Sequence, residues 1–267
     1  MTDSYQAITY DLDEGVATIT FNQPEVMNAM TREMVGETIE ALDRAALDPE
    51  VLVVVITGTG RAFSAGGDVR GLGDGGGGDT RGPFERRAWL RRTQRLILAI
   101  RAVEKPVLAA VNGVAAGGGC DIALACDVRF MADNARIGEI FANIGLFPGT
   151  GGTWFLPRLV GIEKALELIW TAELVPADEA QRIGLVGHVV PAADLMTAVQ
   201  AFARRLAEGP PLALALAKAA VYQGLDQNLP AALDYASTAE AITLSSADHA
   251  EGIRAFREKR RPEFEGR

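Results

Sequence analysis

Two glycine-rich turns are the parts of this 267-residue chain whose composition could do chemistry. The first, VVVITGTGRAFSAGGDV over 53–69, and the second, VLAAVNGVAAGGGCDIALACD over 107–127, share one construction. Each has the apolar run of a buried strand, a turn dense in glycine, and an apolar stretch able to start a helix. Backbone N–H groups at a helix start lack intrahelical acceptors and sit at the positive end of the helix dipole. Glycine lets another molecule approach that backbone without meeting a Cβ. Two such turns facing one another would make an anion site from peptide N–H groups, which is how an oxyanion hole is built. For GGG at 117–119 the alternative is plain close packing of helix on sheet. A dinucleotide fingerprint fails, because the third glycine of the G-x-G-x-x-G pattern starting at Gly58 falls on Phe63.

Other chemistries have less to work with. Ser64 is the only serine inside the motifs, and no G-x-S-x-G elbow exists to support a serine hydrolase. Two cysteines and two histidines, widely spread, offer no zinc-ligand spacing, so no metal site is expected. Cys120 and Cys126 read as small buried hydrophobes, and His188 and His249, remote from the motifs, as non-catalytic.

The elements that must position the turns follow from periodicity. Residues 6–11 and 15–21 read as a hairpin turning at Asp13, Glu14 and Gly15. Residues 51–57, 106–111 and 128–132 read as further strands, with 137–144 adding a short one. Thr31–Ala46 has a helical apolar stripe behind an N-cap threonine, and Phe84–Val103 reads as a long helix. Between them, 71–83 (GLGDGGGGDTRGP) reads as a surface loop or as a lid over a site. From Gly161 onward the chain turns Ala/Leu-rich, with helices expected at 161–172, 177–183, 192–207, 211–223, 229–246 and 248–258. The layout is α/β: a strand–helix core over 1–190 and a helical appendage over 191–267.

Bulk properties fit a globular enzyme: 48% of residues are hydrophobic and 23% charged. The net charge of −9 argues against nucleic acid, whose binding rests on Lys and Arg. No run is long and apolar enough to span a bilayer, and the polar N-terminus is no secretory signal, so the cytoplasm is the default. An anionic ligand would meet positive charge in the basic ending FREKRRPEFEGR.

Four blocks then carry a specific resemblance: AFSAGGDV at 62–69, AAVNGVAAGGGCDIALACDVR at 109–129, IGLFPGTGGTWFLPRLVG at 144–161, and AFREKRRPEFEG near the end. In order and spacing the chain resembles the enoyl-CoA hydratase/isomerase (crotonase) superfamily over essentially its whole length. The resemblance implies a crotonase-like spiral of repeated ββα units, with C-terminal helices supporting a homotrimer or a dimer of trimers. It implies an oxyanion hole from the N–H groups of Gly67 and Gly118, and an acyl-CoA thioester as substrate with no separate cofactor. Backbone around Ala62, Ala65, Asp68 and Val69 would receive the adenine and pantetheine end. Met27 and Ala29 would line the same groove, while Phe256 and Lys259 would serve a neighbouring subunit's site.

In the family's hydratases two glutamates add water across the double bond. The position of the first is Asp121 here, directly after GGGC; the alternative for Asp121 is a helix-start aspartate answering the dipole. The position of the second is Phe141, which cannot move a proton. Glu139, two residues earlier, would need a different backbone path. Pro148 is followed by Gly149 where some isomerases place an acid. A 1,3-proton shift by one base is thus the chemically simpler reading, with hydration, decarboxylation, thioester hydrolysis and a retired binder left open. Phe141, Leu146, Phe147, Pro148 and Gly149 would wall the acyl site, and Trp154 reads as core.

Overall fold

The computed structural model describes residues 5–67 and 82–267. Two strands, β1 (Ile8–Asp13) and β2 (Val16–Phe21), pair antiparallel across a two-residue turn. Glu14 and Gly15 take φ of 46° and 79°, the left-handed pair that a tight hairpin needs. From β2 the chain enters α1 (Arg32–Leu47), capped by Thr31, whose hydroxyl accepts from Met34 N–H at 3.1 Å. The buried face of α1, Met34, Val35, Thr38, Ala41, Leu42 and Ala45, is the stripe read from periodicity. Its C-terminal carbonyls are closed by Lys105, which donates to Ala45 and Asp48 at 2.7 Å.

Three β–β units follow, and they repeat. In each, a long strand joins one sheet and a short strand joins a second: β3 (Val53–Gly58) then β4 (Ala62–Ser64), β5 (Val107–Val111) then β6 (Val114–Ala116), β7 (Val128–Ala132) then β8 (Arg136–Gly138). The main sheet runs β1-β2-β3-β5-β7-β10 and the small one β4-β6-β8-β9, where β9 is Val175–Pro176 and β10 is His188–Val190. Parallel pairing of β3, β5 and β7, with β4, β6 and β8 stepping alongside, is the expected spiral of ββα turns. Strands β3 and β5 are buried almost throughout, as sheets covered on both faces require.

Helix α2 (Pro83–Ala102) follows the first unit, α3 (Gly118–Ala125) the second and α4 (Gly152–Val160) the third. Every residue of α3 is buried, which suits a helix apolar all round. The expectation for 71–83 lies mostly outside the described residues; Pro83 already belongs to α2. Strands β4, β6, β9 and β10 were not expected, since two or three residues show no period. Nor was α4, whose glycines and Pro157 mask it. The strand expected over 137–144 stops at Gly138 and gives way to a 3-10 turn at Phe141–Ile144.

Helices α5 (Ile162–Thr171) and α6 (Ala177–Arg182) lead to α7 (Leu195–Ala207), whose Leu195, Val199 and Ala203 join the main core. Next, α8 (Pro211–Gly224) is tied down by Lys218 and Tyr222, which reach Asp127 at 2.7 and 2.8 Å. Helices α8 and α9 (Leu229–Leu244) contain no buried residue. The last helix, α10 (Ala247–Glu258), binds the C-terminal tail: Asp248 accepts the Glu265 and Gly266 N–H groups at 2.7 and 3.0 Å. No helix among the described residues is long and apolar enough to cross a membrane.

Candidate functional site

The two glycine turns meet at the small sheet, where β4 pairs with β6. Contact is close enough to require glycine. A Cβ on Gly66 (φ 84°) would sit 2.4 Å from the Ala116 carbonyl and 3.0 Å from the Gly118 nitrogen. One on Gly119 would sit 2.2 Å from the Ser64 carbonyl. The turns are pinned from the side by the segment before α1. Ala65 N–H donates to Met27 O at 2.9 Å, and Met30 N–H to Gly66 O at 2.8 Å. Asn28, in the left-handed region at φ 54° and fully buried, accepts from Gln23 N–H at 2.9 Å and donates to Thr59 and Ala62 carbonyls at 2.9 and 2.8 Å. Sequence reasoning missed Asn28; a polar residue amid PEVMNAM gave no periodic signal.

Gly118 is the first residue of α3, so its N–H has no intrahelical acceptor. The N–H of Gly67 follows the Gly66 turn. Among the described residues neither N–H has an acceptor. The first motif departs from expectation in one respect. Gly67 does not begin a helix but bridges to Met30 as an isolated β-pair, so only one of the two donors has a helix behind it.

Around these donors, Met27 takes φ 55°, Ala29 is buried, and Ala65 is half-buried. Ala62 is fully buried and its carbonyl is taken by Asn28, so it supports the loop from beneath. Asp68 and Val69 lie outside the described residues.

Asp121 sits in the first turn of α3, with no exposure to solvent. Thr150, from the turn preceding α4, donates its hydroxyl to Asp121 Oδ2; Oδ1 has no hydrogen-bond partner. Glu139, one residue past β8, is 1% exposed, and neither of its oxygens has a hydrogen-bond partner. The two carboxyl groups are neighbours beneath α4: a Cβ on Gly152 would meet Glu139 Oε1 at 2.5 Å, and one on Gly151 would lie 3.8 Å from Asp121 Oδ1. The backbone path for Glu139 exists because β8 ends at Gly138 and the chain turns.

Burial pushes the Asp121 carboxyl up to about 6, against the opposing pull of the Thr150 hydroxyl. Glu139 is pushed well above the usual carboxylate range, first by burial and then by the charge of Asp121. No ion pair reaches either group among the described residues. The nearest buried cation, Arg129, spends its guanidinium on the Leu185 and Cys126 carbonyls at 2.9 and 2.8 Å. Two buried carboxyls without a cation cannot both ionise cheaply, so the pair shares a proton.

Phe141 is half-buried, its ring 3.4 Å from where a Gly117 Cβ would stand, so it walls the glycine turn. Pro148 is buried, and Gly149 is held by Gln94 Nε2 at 2.8 Å. Both line a cavity of about 740 Å³ with Ile97, Leu98, Phe147, Thr150, Trp154 and Tyr222. That cavity shares Thr150 with the carboxyl pair but does not open on Asp121, Gly67 or Gly118. Trp154, expected in the core, is 40% exposed on its wall. Leu146 and Phe147 are exposed as well.

His188 stacks on Phe130 at 4.2 Å and His249 lies on α10, both away from the pair. Cys120 and Cys126 are buried and free. Among the described residues no group of three or more His, Cys, Asp or Glu could hold a metal ion. Phe256 is 84% exposed at the end of α10, next to Lys259 at φ 55°. Much of the basic ending is spent internally, Arg260 on Glu251 and Glu258 and Arg261 on Glu208.

Known proteins place this arrangement. Residues 11–267 match the model of the enoyl-CoA hydratase/isomerase family. A probable enoyl-CoA hydratase of Rhodobacter capsulatus is 43% identical over 99% of this chain and 100% of its own. A crotonyl-CoA hydratase of Syntrophomonas wolfei is 37% identical over 98% of each. The crystal structure of an enoyl-CoA hydratase from Bacillus anthracis superposes with a TM-score of 0.93 at 32% identity, covering 98% of this chain and 100% of that one. Paired glycine turns, a buried acid after GGGC and full-length likeness converge: this chain belongs to the enoyl-CoA hydratase/isomerase family.

Proposed function

We propose that this enzyme hydrates the double bond of an enoyl-CoA thioester, with the buried Asp121–Glu139 pair beside the Gly118 N–H as the observation that carries the reading. The argument for a single-base isomerase rested on a missing second acid. Glu139 supplies one, from a position two residues away from the expected Phe141. The Gly67 and Gly118 N–H groups hold the thioester oxygen and stabilise the enolate that forms on it. Water oxygen bonds to C3, the π electrons move toward the thioester oxygen, and one water proton passes to the ionised member of the pair. The proton already on the pair passes to C2. One water has been added, and the pair again holds a single proton.

The same machinery would isomerise a 3-enoyl-CoA if one carboxylate carried a proton from C2 to C4, so isomerisation is the second reading. The coenzyme A moiety enters with the substrate, and the mechanism calls on no other cofactor. Met27, Ala29, Ala65, Asp68 and Val69 are proposed along its groove, with Phe141, Pro148 and Gly149 toward the acyl end. The region 191–267 is proposed to assemble trimers, alone or in pairs. The apolar exposure of Val221, Leu229 and Leu233 on α8 and α9 supports this, and it would bring Phe256 and Lys259 to a neighbour's site. A cytoplasmic setting is proposed with it.

The test is incubation with a medium-chain 2-enoyl-CoA in deuterated water, read by mass spectrometry. Gain of one whole water is expected. Deuterium uptake without added water would instead establish the isomerase.

A further inference from the structure

The turn Gly149–Gly151 is held from two sides. Gln94 of α2 donates to the Gly149 carbonyl at 2.8 Å, and the Trp154 and Phe155 N–H groups of α4 donate to the Gly151 carbonyl at 2.8 and 3.0 Å. Between those anchors Thr150, only 6% exposed, has its hydroxyl on Asp121 Oδ2 and 3.6 Å from the position of a Gly118 Cβ. Of the two buried carboxyls, only Asp121 receives a side-chain hydroxyl; Glu139 has no donor on either oxygen.

We propose that Thr150 is a positioning residue of this site: its hydroxyl fixes the short Asp121 side chain by one oxygen, keeps Asp121 as the carboxylate of the pair, and leaves Oδ1 as the oxygen that exchanges protons. The assignment rests on the hydration reading above. Its physical basis is the asymmetry of the pair. A hydroxyl can donate to a carboxylate and so favours the charged form, whereas an undonated carboxyl keeps the proton. An aspartate also has one methylene less than a glutamate, so a partner that sets its rotamer matters more for reach.

The groups facing Asp121 are few among the described residues. Glu139 comes from the end of β8, and the Cys120 thiol from its own helix. Arg129 of β7 acts on Cys120 while its guanidinium serves backbone carbonyls. Gln94 of α2 and Thr150 itself are neutral.

The experiment compares Thr150→Val, Thr150→Ser and Thr150→Cys in the full-length enzyme. Thr150→Val keeps the shape and removes the donor. Hydrogen bonds to charged groups imply a loss of about 10- to 100-fold in kcat with a smaller change in KM. The acidic limb of the pH profile of kcat/KM should move to higher pH. Thr150→Ser should restore both, and Thr150→Cys, a weaker donor, should fall between.

Infrared titration of the Asp121 carboxylate, identified by its loss in Asp121→Asn, reads the same shift without any turnover. It therefore separates failure of this inference from failure of the hydration reading. If neither Thr150→Val nor Thr150→Cys moves the limb or the infrared titration, Thr150 is packing only. The same conclusion holds if Thr150→Ser fails to rescue. Should Thr150→Val not fold, Thr150→Cys decides alone.

Discussion

Two carboxylate pairs in this molecule are treated in opposite ways. Asp121 and Glu139 lie under α4 without a cation, and burial pushes both toward the protonated form. Asp248 and Glu251, on α10, are also little exposed, yet they are surrounded by donors. Asp248 takes two backbone N–H groups of the tail, and Glu251 takes Arg254, Arg260 and the Glu263 N–H at 3.1 Å. The Arg260 hydrogen bond, with help from the others, holds Glu251 down at about 2. One region stores an exchangeable proton; the other spends its charge on fastening a tail. Donors, more than burial, decide which.

The sharpest way to break the comparison is Asp121→Asn, which keeps shape and removes the base. A loss of about 100- to 10,000-fold in kcat is expected, with substrate binding largely retained. Near-wild-type turnover would remove Asp121 from the chemistry. Gly66→Ala tests the donors, since its Cβ would push the two turns apart. A loss of about 100-fold or more in kcat/KM is expected, together with a lower Tm.

The pair's own titration is next. Activity should fall below about pH 6 as Asp121 protonates, and fall again at higher pH as Glu139 loses the shared proton, a bell in kcat/KM. A flat profile would contradict a shared proton.

Stability gives a smaller effect with a definite sign. Both folded-state values are raised, so the pair's favourable contribution is complete below the ordinary carboxylate values of 3.8 and 4.5 and is lost as pH rises through the folded ones. Glu139→Gln should therefore raise Tm, by about 2–4 °C for each kcal/mol relieved, more at pH 8 than at pH 5. It should also slow turnover. An equal change in Tm at both pH values would count against the pair.

Smallest is Glu251→Gln. The depressed value means that Glu251 contributes above about 4.5 and loses its hold as pH falls toward about 2. At neutral pH the variant should show several-fold faster amide exchange at Glu263 with little change in global Tm. Unchanged exchange would mean the tail is held by Asp248 alone.

How much of this could be read in advance differs by element. The stripe of α1, the runs of β3 and β5, and α8 to α10 were legible because long segments carry a clear period. The glycine turns were legible because few backbones tolerate such density, and Asp121 was found from its place after GGGC. Thr150, Asn28 and Glu139 were not. Each acts across 29 to 34 residues of chain on a partner that no local pattern names. Glu139 was discounted because its spacing from Gly145 was wrong for an unbroken path, and the 3-10 turn at Phe141–Ile144 changes that path.

The amino-acid sequence by itself determined the family, the paired turns and the main helices, since these depend on composition and period within short windows. Only the tertiary structure decided that a second carboxyl meets Asp121, and that a threonine from a distant turn holds it. It also decided that no cation among the described residues relieves them. Proton affinity depends on what surrounds a group in space, and those neighbours come from β8, the turn before α4 and β7, which only folding brings together.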